Sequence, residues 1–195
     1  MMIRNIRLSF PHLFKAHAFD EDDDPRFSAM FIIEKDHPQL PEIKAEIKRV
    51  ISDKWGAKSV KPKLCLREGT EKDELEGFDE TVMFFNASNS ARPRVLDRVR
   101  DPETGKARLI LDAGEGIPYA GCYVNADIDF WGQDNKFGKR VNAGLRGVQF
   151  WKHGDRFGGG GVSDAGDFDA IEENDLDDED WGVDTGAEAD DDLLD

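Results

Sequence analysis

Two neighbouring segments constrain this chain most: GCYVNADIDFWGQ, residues 121–133, and GKRVNAGLRGVQFWK, residues 138–152, separated by the turn-like Asp134-Asn135-Lys136-Phe137-Gly138. Side chains on a strand point alternately to opposite faces. In the first segment Val124, Ala126, Ile128 and Phe130 then form an apolar face, and Tyr123, Asn125, Asp127, Asp129 and Trp131 form the other. In the second, Val141, Ala143 and Leu145 suit a core and send Arg140, Asn142 and Arg146 outward. Gly147 marks a bulge that shifts the register, turning Val148 and Phe150 inward and leaving Gln149 and Trp151 outside.

The rest of the body supplies partners for that ribbon. MIRNIRLSF alternates, with Ile6, Leu8 and Phe10 on one face and Asn5, Arg7 and Ser9 on the other. RFSAMFIIE alternates again, with Phe27, Ala29, Phe31 and Ile33 as the inward set, and the two strands are expected to pair. From Pro38 the period changes: Leu40, Ile43, Ile47, Val50 and Ile51 recur at helical spacing, so a helix is expected over about residues 38–55. A short strand at Lys63 to Arg67 and a strand over TVMFFNAS follow. The turn chemistry of Asp101 to Lys106 joins Arg94–Val99 to Arg108–Leu111 as a hairpin. The expected fold is mainly β: an OB-like five-stranded barrel with one helix, extra hairpin and loops, although strand counts alone do not separate it from other small barrels.

The charge is divided sharply. The chain carries a formal −16, and residues 164–195 alone hold sixteen acidic residues and no Lys or Arg. The preceding part is formally neutral, with acids grouped at Asp20 to Asp24 and Glu68 to Glu80, so a cationic face is compatible with it. The expected organisation is an OB-like body over 1–157, a glycine-rich linker over 158–163, and a disordered acidic tail over 164–195. Cys65 and Cys122 lack metal-ligand spacing and are expected to be buried free thiols. With no apolar run near ~18 residues, a soluble cytoplasmic protein is expected.

Single-stranded DNA exposes its bases, so a binder interleaves flat aromatic side chains with cations on one surface. Tyr123, Trp131, Trp151, Arg140, Asn142, Arg146 and Lys152 are the candidates on the ribbon, although Trp131 and Trp151 could instead close the barrel ends. Arg92, Arg94, Lys58, Lys61 and Lys63 could extend the basic path, and Arg7 could hold a phosphate. Asp127 and Asp129 resemble a metal-binding pair, but no further acidic, Lys or His partner is spaced recognisably around them. His12, His17, His37 and His153 fall in loops or beside prolines, and no hydrolase, phosphate-loop or zinc-protease motif occurs. A non-enzymatic protein without metal or cofactor is expected.

The acidic tail also carries Trp181 and ends in Asp190, Asp191, Asp192, Leu193, Leu194 and Asp195, apolar anchors that a mere solubiliser could omit. The ribbon motifs, the glycine linker and the acidic end resemble the single-stranded DNA-binding proteins of tailed phages, a family once described only as a domain of unknown function. The resemblance spans Met2 to Gly161 and is most specific over Gly121 to Gly161. It implies an OB fold, sequence-tolerant binding of single strands in phage replication or recombination, no cofactor and no catalysis. In related replication proteins the acidic end recruits a polymerase or helicase and competes with DNA. Those tips end in Pro-Phe in the better-known bacterial proteins, whereas this one ends Leu-Leu-Asp. A strand-annealing protein and an acidic DNA mimic are the alternatives, and a homodimer is compatible with the sequence.

Overall fold

The computed structural model describes residues 1–18, 24–56 and 60–158. Eight strands and one α-helix follow one another: β1 (Met2–His17), β2 (Arg26–Glu34), α1 (Leu40–Trp55), β3 (Arg67–Glu68), β4 (Val82–Asn89), β5 (Arg94–Arg100), β6 (Ala107–Leu109), β7 (Tyr123–Asn135) and β8 (Gly138–Lys152). Five of them close on themselves. Antiparallel ladders run β4-β2-β1-β7-β8, and a parallel pairing of Ala87 with Ala143 and Ser88 with Gly144 joins β8 back to β4. Closure leaves the barrel strands no open edge. β3 hangs from β4, and the β5–β6 hairpin continues along β8, with Arg94 opposite Gly147.

The interior follows the expected alternation. Val124, Ala126, Ile128 and Phe130 of β7 and Val141, Ala143, Leu145, Val148 and Phe150 of β8 are all buried. Asp127 pairs with Gly147 and Ile128 with Leu145, so Arg146 is the extra residue and the bulge falls where Gly147 predicted it. α1 buries Leu40, Ile43, Ile47 and Val50 in the main core. Its last turn packs against Gly132, where a Cβ would lie 2.9 Å from Lys54 Cγ, and Trp55 Nε1 donates to Asp134 at 3.0 Å.

Three expectations shift. The first strand runs on to His17, well past Phe10, and carries His12 and His17 within it, so these two are not loop residues. Phe10 does not point inward: it is 47% exposed. Ser9 pairs with Met30 and His12 with Ser28, leaving Phe10 and Pro11 opposite Ala29 as a bulge, and Phe10 takes a φ of 46°. For an aromatic residue that left-handed conformation costs about 1–2 kcal/mol. Lys63 to Arg67 is not one strand: Lys63 bridges Arg140, and the strand proper begins at Arg67.

β2 is also buried on both sides. Its inward residues Ala29, Phe31 and Ile33 join the main core. On the outside Met30 and Ile32 meet Phe78, Val82 and Phe84, with Leu75 and Phe157 packed against them, a second apolar cluster built under residues 69–82. That cluster covers one half of the outer β2–β4 surface and leaves the other half open.

Candidate nucleic-acid interface

On the uncovered half of β2–β4 the outward residues turn polar. Arg26 and Ser28 follow Met30 and Ile32 in the alternation of β2, and Asn86 and Ser88 follow Val82 and Phe84 in β4. Beside them the parallel junction with β8 adds Arg140 and Asn142, and β7 adds Trp131 and Gln133. The segment before β3 forms the remaining wall: Lys63 N donates to Lys139 O and Val141 N to Lys63 O, both at 2.9 Å. The result is a groove of about 480 Å³ lined by Arg26, Lys63, Arg67 and Arg140 together with Trp131.

Trp131 is 42% exposed and is not part of the core. Gly144 lies alongside it: a Cβ there would meet Trp131 Nε1 at 3.9 Å, an ordinary contact distance. Asn142 Nδ2 donates to Gln133 Oε1 at 2.9 Å, which fixes a polar bridge across the groove floor. Among the described residues Arg26, Lys63 and Arg140 have no carboxylate within ion-pair distance. Arg67 is held by Glu71 at 3.3 Å and lies over the Phe84 ring at 4.4 Å. The groove is therefore cationic, donor-rich and edged by an aromatic ring, which suits a phosphodiester strand with accessible bases. Cys65 lines it as a thiol, its pKa pushed up to about 11 by burial, and Cys122 is likewise raised to about 11. Both are free.

The structure thus brings together Trp131, Arg140, Asn142 and Lys63. It collects three other candidates elsewhere. Tyr123 lies between Lys152, at 4.3 Å from the ring centroid, and Arg7, at 5.8 Å. Arg7 itself donates to Gly121 O and Asp155 O, each at 3.1 Å, and stacks on Phe157 at 4.2 Å. Trp151, 48% exposed, stands at the far end of β8, and its carbonyl accepts from Arg98 at 3.3 Å. Arg92 lies over Phe14 and donates to the Leu111 carbonyl. Arg94 and Lys61 are exposed and outside the groove lining. Arg146 pairs with Asp127 at 3.6 Å, the carboxylate that also meets the Met1 amino group at 3.5 Å. Asn125, on the outward face, is buried: it accepts from Asn5 N at 3.1 Å and donates to Gln149 at 3.2 Å. Lys58 and the tail residues Trp181, Asp190, Asp191, Asp192, Leu193, Leu194 and Asp195 lie outside the described residues.

Arg26, Arg67, Asn86, Ser88 and Gln133 are groove residues that the sequence reading passed over. A signal for them exists in the alternation: the outward positions of β2 and β4 change from apolar to polar partway along each strand.

In chain order the barrel strands β1, β2, β4, β7 and β8 close in the order first, second, third, fifth, fourth, with the groove over the second and third. That is the OB barrel and the face through which such barrels hold oligonucleotides. Comparison with known proteins narrows the class. The chain belongs to the family of the Enterobacter phage Enc34 ssDNA-binding protein, whose family model matches residues 1–180. Protein p50 of Acyrthosiphon pisum secondary endosymbiont phage 1 is 41% identical over 180 residues, 87% of this chain and 92% of that one. The single-stranded DNA-binding protein from bacteriophage Enc34, solved in complex with ssDNA, matches with TM-score 0.67 and 28% identity over 80% of this chain and 88% of that chain. A further structure of that Enc34 protein matches with TM-score 0.63 and 29% identity, covering 83% of this chain and 86% of the other. Among the described residues no helix is long and apolar enough to cross a membrane.

Proposed function

We propose that this chain coats single-stranded DNA during phage replication or recombination, without catalysis, by laying the strand in the groove over β2, β4 and β8. The observation that carries this is the exposed Trp131 beside Arg140 and Lys63, cations with no carboxylate partner among the described residues. An exposed indole lets a base stack at little reorganisation cost, for about 1–3 kcal/mol per base. Each unpaired cation can neutralise a phosphate and release counterions. Family membership supports the ligand class. The test is titration of the full chain with oligo-dT and with duplex at two salt concentrations, following tryptophan fluorescence. Quenching by oligo-dT with affinity falling as salt rises is expected; no quenching and no shift with either DNA would end the reading.

The acidic residues 164–195 serve this function as a tethered competitor and recruiting segment. Sixteen carboxylates joined to the body stand at an effective concentration on the order of millimolar, and Trp181 with Leu193 and Leu194 supply apolar anchors for a replication or recombination partner. Deleting residues 164–195 should tighten binding to oligo-dT at matched salt. Unchanged or weaker binding would remove the competitor role.

A further inference from the structure

A second recess, of about 720 Å³, opens beside the Trp131 groove and shares Arg26, Arg67, Asn86 and Ser88 with it. Two independent features of the free protein meet there, each unfavourable by itself. Ser28 is 6% exposed, and its hydroxyl is the one buried side-chain polar atom among the described residues without a hydrogen-bond partner. Such a group loses its water on folding and receives nothing in exchange. Phe10, in the same recess, holds a left-handed backbone conformation that places its ring 47% exposed instead of in the core. Strain of this kind persists where the surrounding structure enforces it, and such residues concentrate at ligand sites.

The chemistry around these two residues is specific. Arg26, Arg67 and Lys72 are the cations of the described lining, against the single carboxylate of Asp24. A serine hydroxyl that shares a recess with guanidinium groups matches an anionic oxygen, because it donates where they donate. An exposed phenyl ring matches the face of a base.

Accepting the single-stranded DNA reading above, we infer that this recess is a second nucleotide subsite. Phe10 stacks a base, and the Ser28 hydroxyl, closed to solvent in the free protein, turns about its side-chain bond toward the recess to donate to a non-bridging phosphate oxygen held by Arg26 and Arg67. The strand then runs on from Trp131 across β4 to the bulge of β1. Ligand binding satisfies the hydroxyl that folding left without a partner.

This assignment predicts an unusual combination of signs. Ser28→Ala should leave the melting temperature of the full chain unchanged or raised, and should weaken binding of long oligo-dT by roughly three- to tenfold. Ser28→Thr, which restores the hydroxyl on a β-branched residue suited to a strand, should recover most of the affinity. Phe10→Ala should weaken long oligo-dT by a similar factor. Oligonucleotides too short to span both subsites should show a smaller penalty for either substitution than for Trp131→Ala. A lower melting temperature for Ser28→Ala would mean that the hydroxyl is already satisfied in the free protein and would overturn the inference. So would full affinity for long oligo-dT in both Ser28→Ala and Phe10→Ala while Trp131→Ala still binds weakly, a result that leaves the proposed function standing. Loss of no affinity in any of the three would defeat both.

Discussion

The groove around Trp131 and the cluster around Arg7 draw on the same residue types, an aromatic ring and an arginine on neighbouring strands, and leave them in opposite states. In the groove Arg140 and Lys63 reach solvent without a carboxylate partner among the described residues, and Trp131 is 42% exposed. In the cluster Arg7 spends its donors on Gly121 O and Asp155 O and lies on Phe157, whose ring packs over Gly77. Arg7 thereby clasps residues 153–157 to the barrel. What separates a binding surface from a structural clasp is whether the polar groups are already satisfied, because an occupied donor must give up one bond to make another. Residue type alone does not decide it.

The largest effect expected of this contrast lies in the clasp and concerns stability. Gly121 has a φ of 99°, and a Cβ there would fall 1.9 Å from Asp155 O. Gly121→Ala should destabilise the body by about 3 kcal/mol or more, read as a lower urea midpoint. Arg7→Ala removes two hydrogen bonds and a stacked ring contact, for about 2 kcal/mol, by the same measurement. At a temperature where both variants remain folded, oligo-dT affinity should be unaltered. A large loss of affinity in folded Arg7→Ala would dissolve the distinction and make the cluster a binding surface.

The groove should respond in the reverse sense. Trp131→Ala is expected to cost about 1–3 kcal/mol of oligo-dT affinity, roughly five- to 150-fold, and less than about 1 kcal/mol of stability, since the indole is not in the core. Calorimetric titration paired with thermal melting separates the two. If Trp131→Ala melts several degrees lower and still binds, the indole belongs with the clasp.

Much of the fold was legible because one period governs it. The strict alternation of β7 and β8 named the inner set from Val124 to Phe150, and Gly147 located the bulge at Arg146. The helix was legible from Leu40 to Val50 because its apolar spacing is 3.6-fold and its end is marked by Gly56. Phe10 was not, because the bulge in β1 depends on pairing with β2, and a bulge carries no composition signal when the residue that takes the positive φ is aromatic. The site was half legible. Trp131, Arg140, Asn142 and Lys63 followed from facing and charge, but the groove forms where β4 meets β8 in parallel, a contact between segments more than fifty residues apart that no local pattern announces. The partners of Arg7 were not legible for a similar reason: Gly121 and Asp155 are distant from it in sequence.

Smaller effects sharpen the same line. Lys63→Ala and Arg140→Ala should each weaken oligo-dT binding a few-fold and reduce the slope of log affinity against log salt by about 0.7, the value for one phosphate contact on a single strand. The double variant should lose about twice the slope. An unchanged slope would place these cations outside the phosphate path.

The smallest effect is expected at Arg146, which belongs to neither region. It is exposed like the groove cations and partnered like Arg7, since Asp127 stands 3.6 Å away. An exposed ion pair of this kind contributes about 0–1 kcal/mol to stability. If satisfaction rather than exposure marks the binding surface, Arg146→Ala should change oligo-dT affinity less than twofold and leave the salt slope as it is. Asp127→Asn then provides the decisive control. Removing the carboxylate frees the Arg146 guanidinium and the Met1 amino group together, so a strand passing over β8 would bind more tightly to Asp127→Asn, whereas a strand confined to the β2–β4–β8 groove would not notice the change.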